Sequence, residues 1–267
     1  MKQILNRSGL VFLLTALSGC GQIPNPLMNT NPEVYNRGVR RLEVHDIPGS
    51  QAAFDQAISL HREDLSLYAQ IANEYMQADQ PVLAAKYADQ GLAAVPTAPV
   101  VERCALLSIA SAARLDAGDH VKALDLATAA YNLQPDNPLT QNGLAYTLAE
   151  TVEVDDPLTP AKLVKAETLL GTALNRLKTL DVTPEQMGVV LDSLGWVHFK
   201  MRRFKDAVLE LERADDLSPG QAEITYHLGM AYLATNRLNE ATTAFKRALA
   251  IKPGLLAAKS ALNAIVH

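Results

Sequence analysis

Only two of the 267 residues are cysteine, one is tryptophan, and aromatic side chains make up 5% of the chain. Recognisable catalytic apparatus is missing as well. The six histidines, His45, His61, His120, His198, His227 and His267, never fall into HExxH or any other close ligand spacing, so no metal is expected. GxSxG, a P-loop and a GxGxxG that follows a strand are all absent, and no strands are expected, which removes the common hydrolase and nucleotide-binding designs. Asp155-Asp156 and Asp215-Asp216 are acidic pairs in or near loops and read as solvated rather than metal-ligating. The chain is therefore expected to be no enzyme and to need no cofactor. Basic excess is lacking too, since 24 Lys and Arg face 29 Asp and Glu, which argues against nucleic acid as a partner.

The run Leu10 to Leu17 (LVFLLTAL) is too short to span a bilayer as a helix. It follows Lys2 and Arg7, and together they read as the positive and apolar regions of a cleaved signal segment over residues 1–19. Leu17-Ser18-Gly19-Cys20 directly afterwards resembles the lipobox of bacterial lipoproteins, in which the cysteine is diacylated and becomes the new N-terminus. The resemblance implies lipidation at Cys20 and a membrane partner reached through acyl chains, whose burial at about 0.8 kcal/mol per CH₂ gives stable anchoring. Gly21, a residue other than Asp, resembles an outer-membrane sorting signal and implies the periplasmic face of the outer membrane. Lipidation would leave Cys104 without a disulfide partner, as a small residue at the edge of the core. Removing Lys2 and Arg7 leaves 22 basic against 29 acidic residues, a net charge of −7. The proline-containing stretch Gly21 to Thr30 then reads as a tether.

The rest of the chain is periodic. Leu194, Gly195, His198, Ala207, Leu211, Ala214 and Pro219 recur, 34 residues later, as Leu228, Gly229, Tyr232, Ala241, Phe245, Ala248 and Pro253. Tyr68, Ile71, Ala72, Tyr75, Ala84, Ala88, Gly91 and Pro96 share the pattern. So do Leu107, Ala110, Ser111, Ala123, Ala127, Ala130 and Pro135, with Arg114 in place of an aromatic residue. This pattern resembles the tetratricopeptide repeat (TPR), a pair of antiparallel helices in which small residues let the two approach and proline ends the second.

The resemblance implies an all-α, right-handed α-solenoid of about six hairpins plus a C-terminal capping helix. The repeats fall at 31–64, 65–98, 104–137, 138–180, 188–221 and 222–255, with a cap at 255–267. Pro99 to Arg103 reads as a connector, and Thr151 to Pro160 as a loop insertion in the fourth hairpin. Thr183-Pro184-Glu185-Gln186 resembles a capping box that starts the next helix about one turn early.

At 100° per residue the consensus core positions 4, 7, 8 and 11 of the first helix cluster near about 30°, and positions 2, 5, 9, 12 and 13 near about 170°. In the family the second set lines a concave groove that contacts extended peptides. Here that set includes Asn73, Asn142, Tyr146, Asp192, Trp196, Phe199, Tyr226 and Met230. The alternative for Tyr146, Trp196 and Met230 is packing between successive first helices. The family's carboxylate clamp, a Lys four residues before an Asn, is not formed, because Asn73 follows Ala69. The reading is a membrane-anchored adaptor that binds an envelope protein or peptide in this groove, supporting assembly of a pilus, secretion or outer-membrane machine. A structural, self-associating envelope lipoprotein is the alternative.

Overall fold

The computed structural model describes residues 32–152 and 158–266. The signal segment, Cys20, the tether and the Asp155-Asp156 pair lie outside the described residues. Among those described there are thirteen helices and no strand. The chain divides after Gln134 into two compact units.

The first unit holds three helical hairpins. They are α1 (Pro32–Glu43) with α2 (Ile47–Leu60), α3 (Leu65–Gln77) with α4 (Pro81–Ala94), and α5 (Val100–Asp116) with α6 (His120–Leu133). The second unit holds three more and a closing helix: α7 (Pro138–Glu150) with α8 (Thr159–Leu177), α9 (Pro184–Lys200) with α10 (Phe204–Leu217), α11 (Ala222–Ala234) with α12 (Leu238–Ile251), and α13 (Leu256–Val266). Ala257 and Ala258 of α13 are buried in one cluster with Tyr226 and Phe245, so the last hairpin's apolar end is covered.

Side-chain size sets how the two helices of a hairpin meet. A Cβ on Gly229 would lie 2.6 Å from Phe245 Cε1, so the phenyl ring occupies the space that a side chain on α11 would need. Where the first helix carries Ala72 or Ser111 at the corresponding place, the second carries Ala88 or Ala127 instead of a ring, and all four are buried. Large against absent and small against small both fill the gap at interior density.

Tight turns join the helices of five hairpins through one residue of positive φ: His45, Asp79, Gly118, Arg202 and Asn236. In each, the following amide donates back five residues, as in Gln80 N to Tyr75 O at 2.8 Å and Arg203 N to His198 O at 2.9 Å, the bond of a Schellman cap. Such φ values cost a non-glycine residue about 1 kcal/mol. Gly118→Ala is therefore expected to lower stability by about that amount in chemical denaturation, although open space surrounds its Cβ position. Arg202→Gly should raise stability by a similar increment.

Two sequence readings are corrected. Pro99 to Arg103 is no connector: α5 begins at Val100, with Pro99 as its N-cap at φ −51° and ψ 143°, a backbone that turns directly into a helix. Asp215 is no solvated pair member. It ion-pairs with Arg247 and accepts from Thr225 Oγ1 at 3.1 Å. Arg114, standing where an aromatic is usual, forms ion pairs with Asp89 and Asp119.

The scarce aromatics are grouped. In the first unit Tyr35, Phe54, Tyr75 and Tyr87 form a ladder with centroid spacings of 5.6, 5.5 and 5.3 Å. Tyr35 donates to Glu74 Oε1 at 2.9 Å and Tyr87 to Asp55 Oδ1 at 2.8 Å, so the ring hydroxyls are satisfied where they reach the edge. Burial raises the Glu74 carboxyl above its ordinary range, with Glu43 adding to the rise and the Tyr35 hydrogen bond opposing it. A carboxyl whose folded value is raised destabilises the folded state progressively as pH climbs through its unfolded value, with the full cost present above the folded one. Glu74→Gln is expected to melt higher than the parent at neutral pH, and the gain should vanish as pH falls below the ordinary carboxylate range. Equal melting points at every pH would contradict the assignment.

Candidate protein-binding site

The face built by α7, α9 and α11 brings together most of the residues singled out in the sequence. The start of α9 sets its register. Thr183 Oγ1 accepts from Gln186 N at 3.3 Å and Gln186 Oε1 accepts from Thr183 N at 2.8 Å, a reciprocal capping box with proline at the first helical position. The helix consequently begins a turn before the repeat register and presents Asp192, Trp196 and Phe199 along one side. Asn142 and Tyr146 come from α7, and Tyr226 and Met230 from α11. Asn73 belongs to α3 in the other unit and is half-buried, with its Oδ1 buried and unbonded.

These positions are more enclosed than an open groove would make them. Asn142, Tyr146, Asp192, Trp196 and Tyr226 are all buried, whereas Phe199 and Met230 are half-buried. The physical reason is a network that also contains Glu150, Lys200 and His227. Trp196 Nε1 donates to Glu150 Oε1 at 2.5 Å, and Lys200 Nζ lies 3.1 Å from the same oxygen. The Trp196 ring stacks on Phe199 at 4.8 Å and on His227 at 4.2 Å. His227 Nδ1 in turn lies 2.8 Å from Asp192 Oδ1, and its ring is 5.7 Å from Tyr226 and 6.5 Å from Tyr146. Burial, together with the nearby Glu150 carboxylate, pushes the Tyr226 hydroxyl up to about 12, so it remains a neutral hydrogen-bonding group. Glu150 and Lys200 occupy the thirteenth place of their repeats, on the wheel face that the sequence marks out; His227 lies off it.

One side chain on this face lacks partners. Asn142 is fully buried, yet neither its Nδ2 nor its Oδ1 has a hydrogen-bond partner. Its neighbour Gln141 donates from Nε2 to Pro135 O at 2.8 Å and has an unbonded Oε1. A buried amide without partners costs about 1–3 kcal/mol per group.

Other candidate groups have ordinary roles. His198 is buried with Nε2 3.2 Å from Glu167 Oε1, which also accepts from Arg203 at 2.5 Å. Burial opposes ionisation of Glu167, but the hydrogen bonds from Arg203 and His198 outweigh it and hold the carboxyl below its usual value. Cys104 is buried with its thiol raised by desolvation and directed at Ala130 O. Among the described residues no group of three His, Cys, Asp or Glu could hold a metal ion, and no helix is long and apolar enough to cross a membrane.

Residues 198–265 match the family model described as tetratricopeptide repeat. No curated protein matches the chain. Among solved structures, a tetratricopeptide repeat protein from Parabacteroides merdae is 13% identical with a TM-score of 0.67, covering 97% of this chain and 98% of that one. A thermophilic TPR protein of Thermus thermophilus is 18% identical with a TM-score of 0.61, covering 76% and 98%. The APC/C hetero-tetramer Cut9-Hcn1 gives 16% and 0.63 over 98% of this chain, which spans about half, 47%, of that one. The fold is thus that of stacked TPR hairpins.

Proposed function

We propose that this chain is a lipid-anchored TPR adaptor that holds an extended segment of another envelope protein on the α7, α9 and α11 face. The observation that carries the reading is Asn142, whose amide N–H groups and carbonyl are enclosed without a hydrogen-bond partner in the chain, so that a segment reaches them as the side chains covering α7 move aside. A peptide bond presents the complementary pair, a carbonyl and an N–H, and extended peptides are commonly held by such main-chain bonds, with pockets for alternate side chains. The half-buried Phe199 and Met230 supply apolar contact on α9 and α11 of the same face. Anchoring through Cys20 would keep the site at a membrane surface, where envelope machines are assembled.

Selection from a displayed random-sequence peptide library against the full chain tests the binding claim. Amide exchange with and without the selected peptide should show protection concentrated on α7, α9 and α11. Protection confined to other helices, or no selectable binder, would contradict it. Anchoring has its own test: an alkyne-tagged fatty acid fed to expressing cells should label the chain and fail to label Cys20→Ser.

A further inference from the structure

We infer that the anchor residue of the bound segment is basic, an Arg or Lys whose head group takes the place of the Lys200 ammonium against Glu150 and Trp196. This rests on the peptide-binding reading above and specifies its partner. The slot is built from fixed parts. The Glu150 side chain is 4% exposed, and its Oε1 is oriented by the Trp196 indole N–H, a bond that does not depend on Lys200. Lys200 Nζ sits 3.1 Å from that oxygen and 5.1 Å from the centre of the indole ring, where carboxylate and aromatic quadrupole both favour a cation.

The lysine is the exchangeable part. Its side chain is 20% exposed, and a hydrated ammonium on a flexible four-carbon stem can swing into water at little cost. Glu150 cannot follow. When Lys200 leaves, a buried carboxylate held by an indole remains, and a partner's guanidinium or ammonium restores the lost charge balance. An acidic anchor would instead face the Glu150 carboxylate, with Lys200 already committed to it. An uncharged anchor would leave Glu150 without its cation once Lys200 is displaced, a large cost for a buried ion.

The single tryptophan of the chain reports directly on this slot. Peptide pools with one position fixed as Arg, Lys, Gln or Glu are titrated against the full chain, with Trp196 fluorescence and calorimetry as readouts. The Arg and Lys pools should bind at least about tenfold more tightly than the Gln and Glu pools, a difference that weakens at high salt. Lys200→Met leaves the Glu150–Trp196 bond in place and removes the internal competitor, so it should tighten the Arg pool several-fold. Glu150→Gln should erase the preference for basic pools. Gln or Glu pools that bind as well as the basic ones, or a Lys200→Met chain that binds Arg peptides more weakly, would overturn the inference while leaving peptide binding intact. Failure of every pool to bind would overturn the peptide-binding reading itself.

Discussion

Trp196→Ala is expected to lower the stability of the chain by about 3–5 kcal/mol, the range for removing a large buried aromatic side chain. The indole is 5% exposed and stacks on both Phe199 and His227. Its loss leaves a cavity between α9 and its neighbours and takes from Glu150 the hydrogen bond that fixes its carboxylate. Because Glu150 is buried, part of the cost is that of a carboxylate left with Lys200 alone. Trp196→Phe separates the contributions: the ring stack is largely retained, the N–H is lost, and the expected loss falls to about 1–2 kcal/mol. Denaturant titration followed by circular dichroism measures both. A Trp196→Ala chain as stable as the parent would mean that the ring is not packed where the structure places it.

The second large effect is expected at Gly91, and it is steric. A Cβ there would sit 2.7 Å from Tyr68 Cβ and 2.8 Å from Leu106 Cδ2. The first of these atoms is bonded directly to the backbone of α3 and cannot rotate away, so α3 or α4 must shift. Tyr68 and Leu106 are both buried, Leu106 fully, and a shift therefore disturbs the packing of α3, α4 and α5 together. Gly91→Ala should cost about 1–3 kcal/mol, as overpacking usually does, despite the gain in helix propensity that this exchange brings at an open site. Gly143→Ala on α7 is a suitable contrast, since a Cβ there meets nothing within 4 Å; it should leave stability unchanged or raise it. Equal effects at the two glycines would show that propensity rather than contact decides both.

Much of the architecture is legible in the sequence because one spacing repeats. Gly195 and Gly229, Leu211 and Phe245, Ala214 and Ala248 carry their packing roles in their size, and a fixed period places each in its helix. The capping box at Thr183 is equally readable, as four consecutive residues contain all of its chemistry. The tight turns are not, because the residue of positive φ is His45, Asp79, Gly118, Arg202 or Asn236 in turn, and only glycine and asparagine announce such a backbone. The start of α5 escapes for another reason: counting forward from the repeat register hides the helix-starting geometry at Pro99.

The candidate site divides along the same line. The wheel face that contains Asn142, Asp192, Trp196 and Tyr226 follows from periodicity. Their enclosure does not, because the Trp196–Glu150 bond joins residues 46 positions apart and the His227–Asp192 contact residues 35 apart. Nor does any sequence pattern mark which buried amide is left without partners.

Asn142→Leu tests the central claim most directly, with melting of the free chain and binding of a library-selected peptide measured on the same preparations. Exchanging an unsatisfied buried amide for an apolar side chain of similar volume removes a desolvation cost of about 1–3 kcal/mol. The variant should therefore melt higher than the parent while binding the peptide at least about tenfold more weakly, the loss of about 1.4 kcal/mol or more that unmade main-chain bonds would bring. A variant that melts lower and binds as well as the parent would show that Asn142 serves the fold rather than a ligand, and would contradict the account.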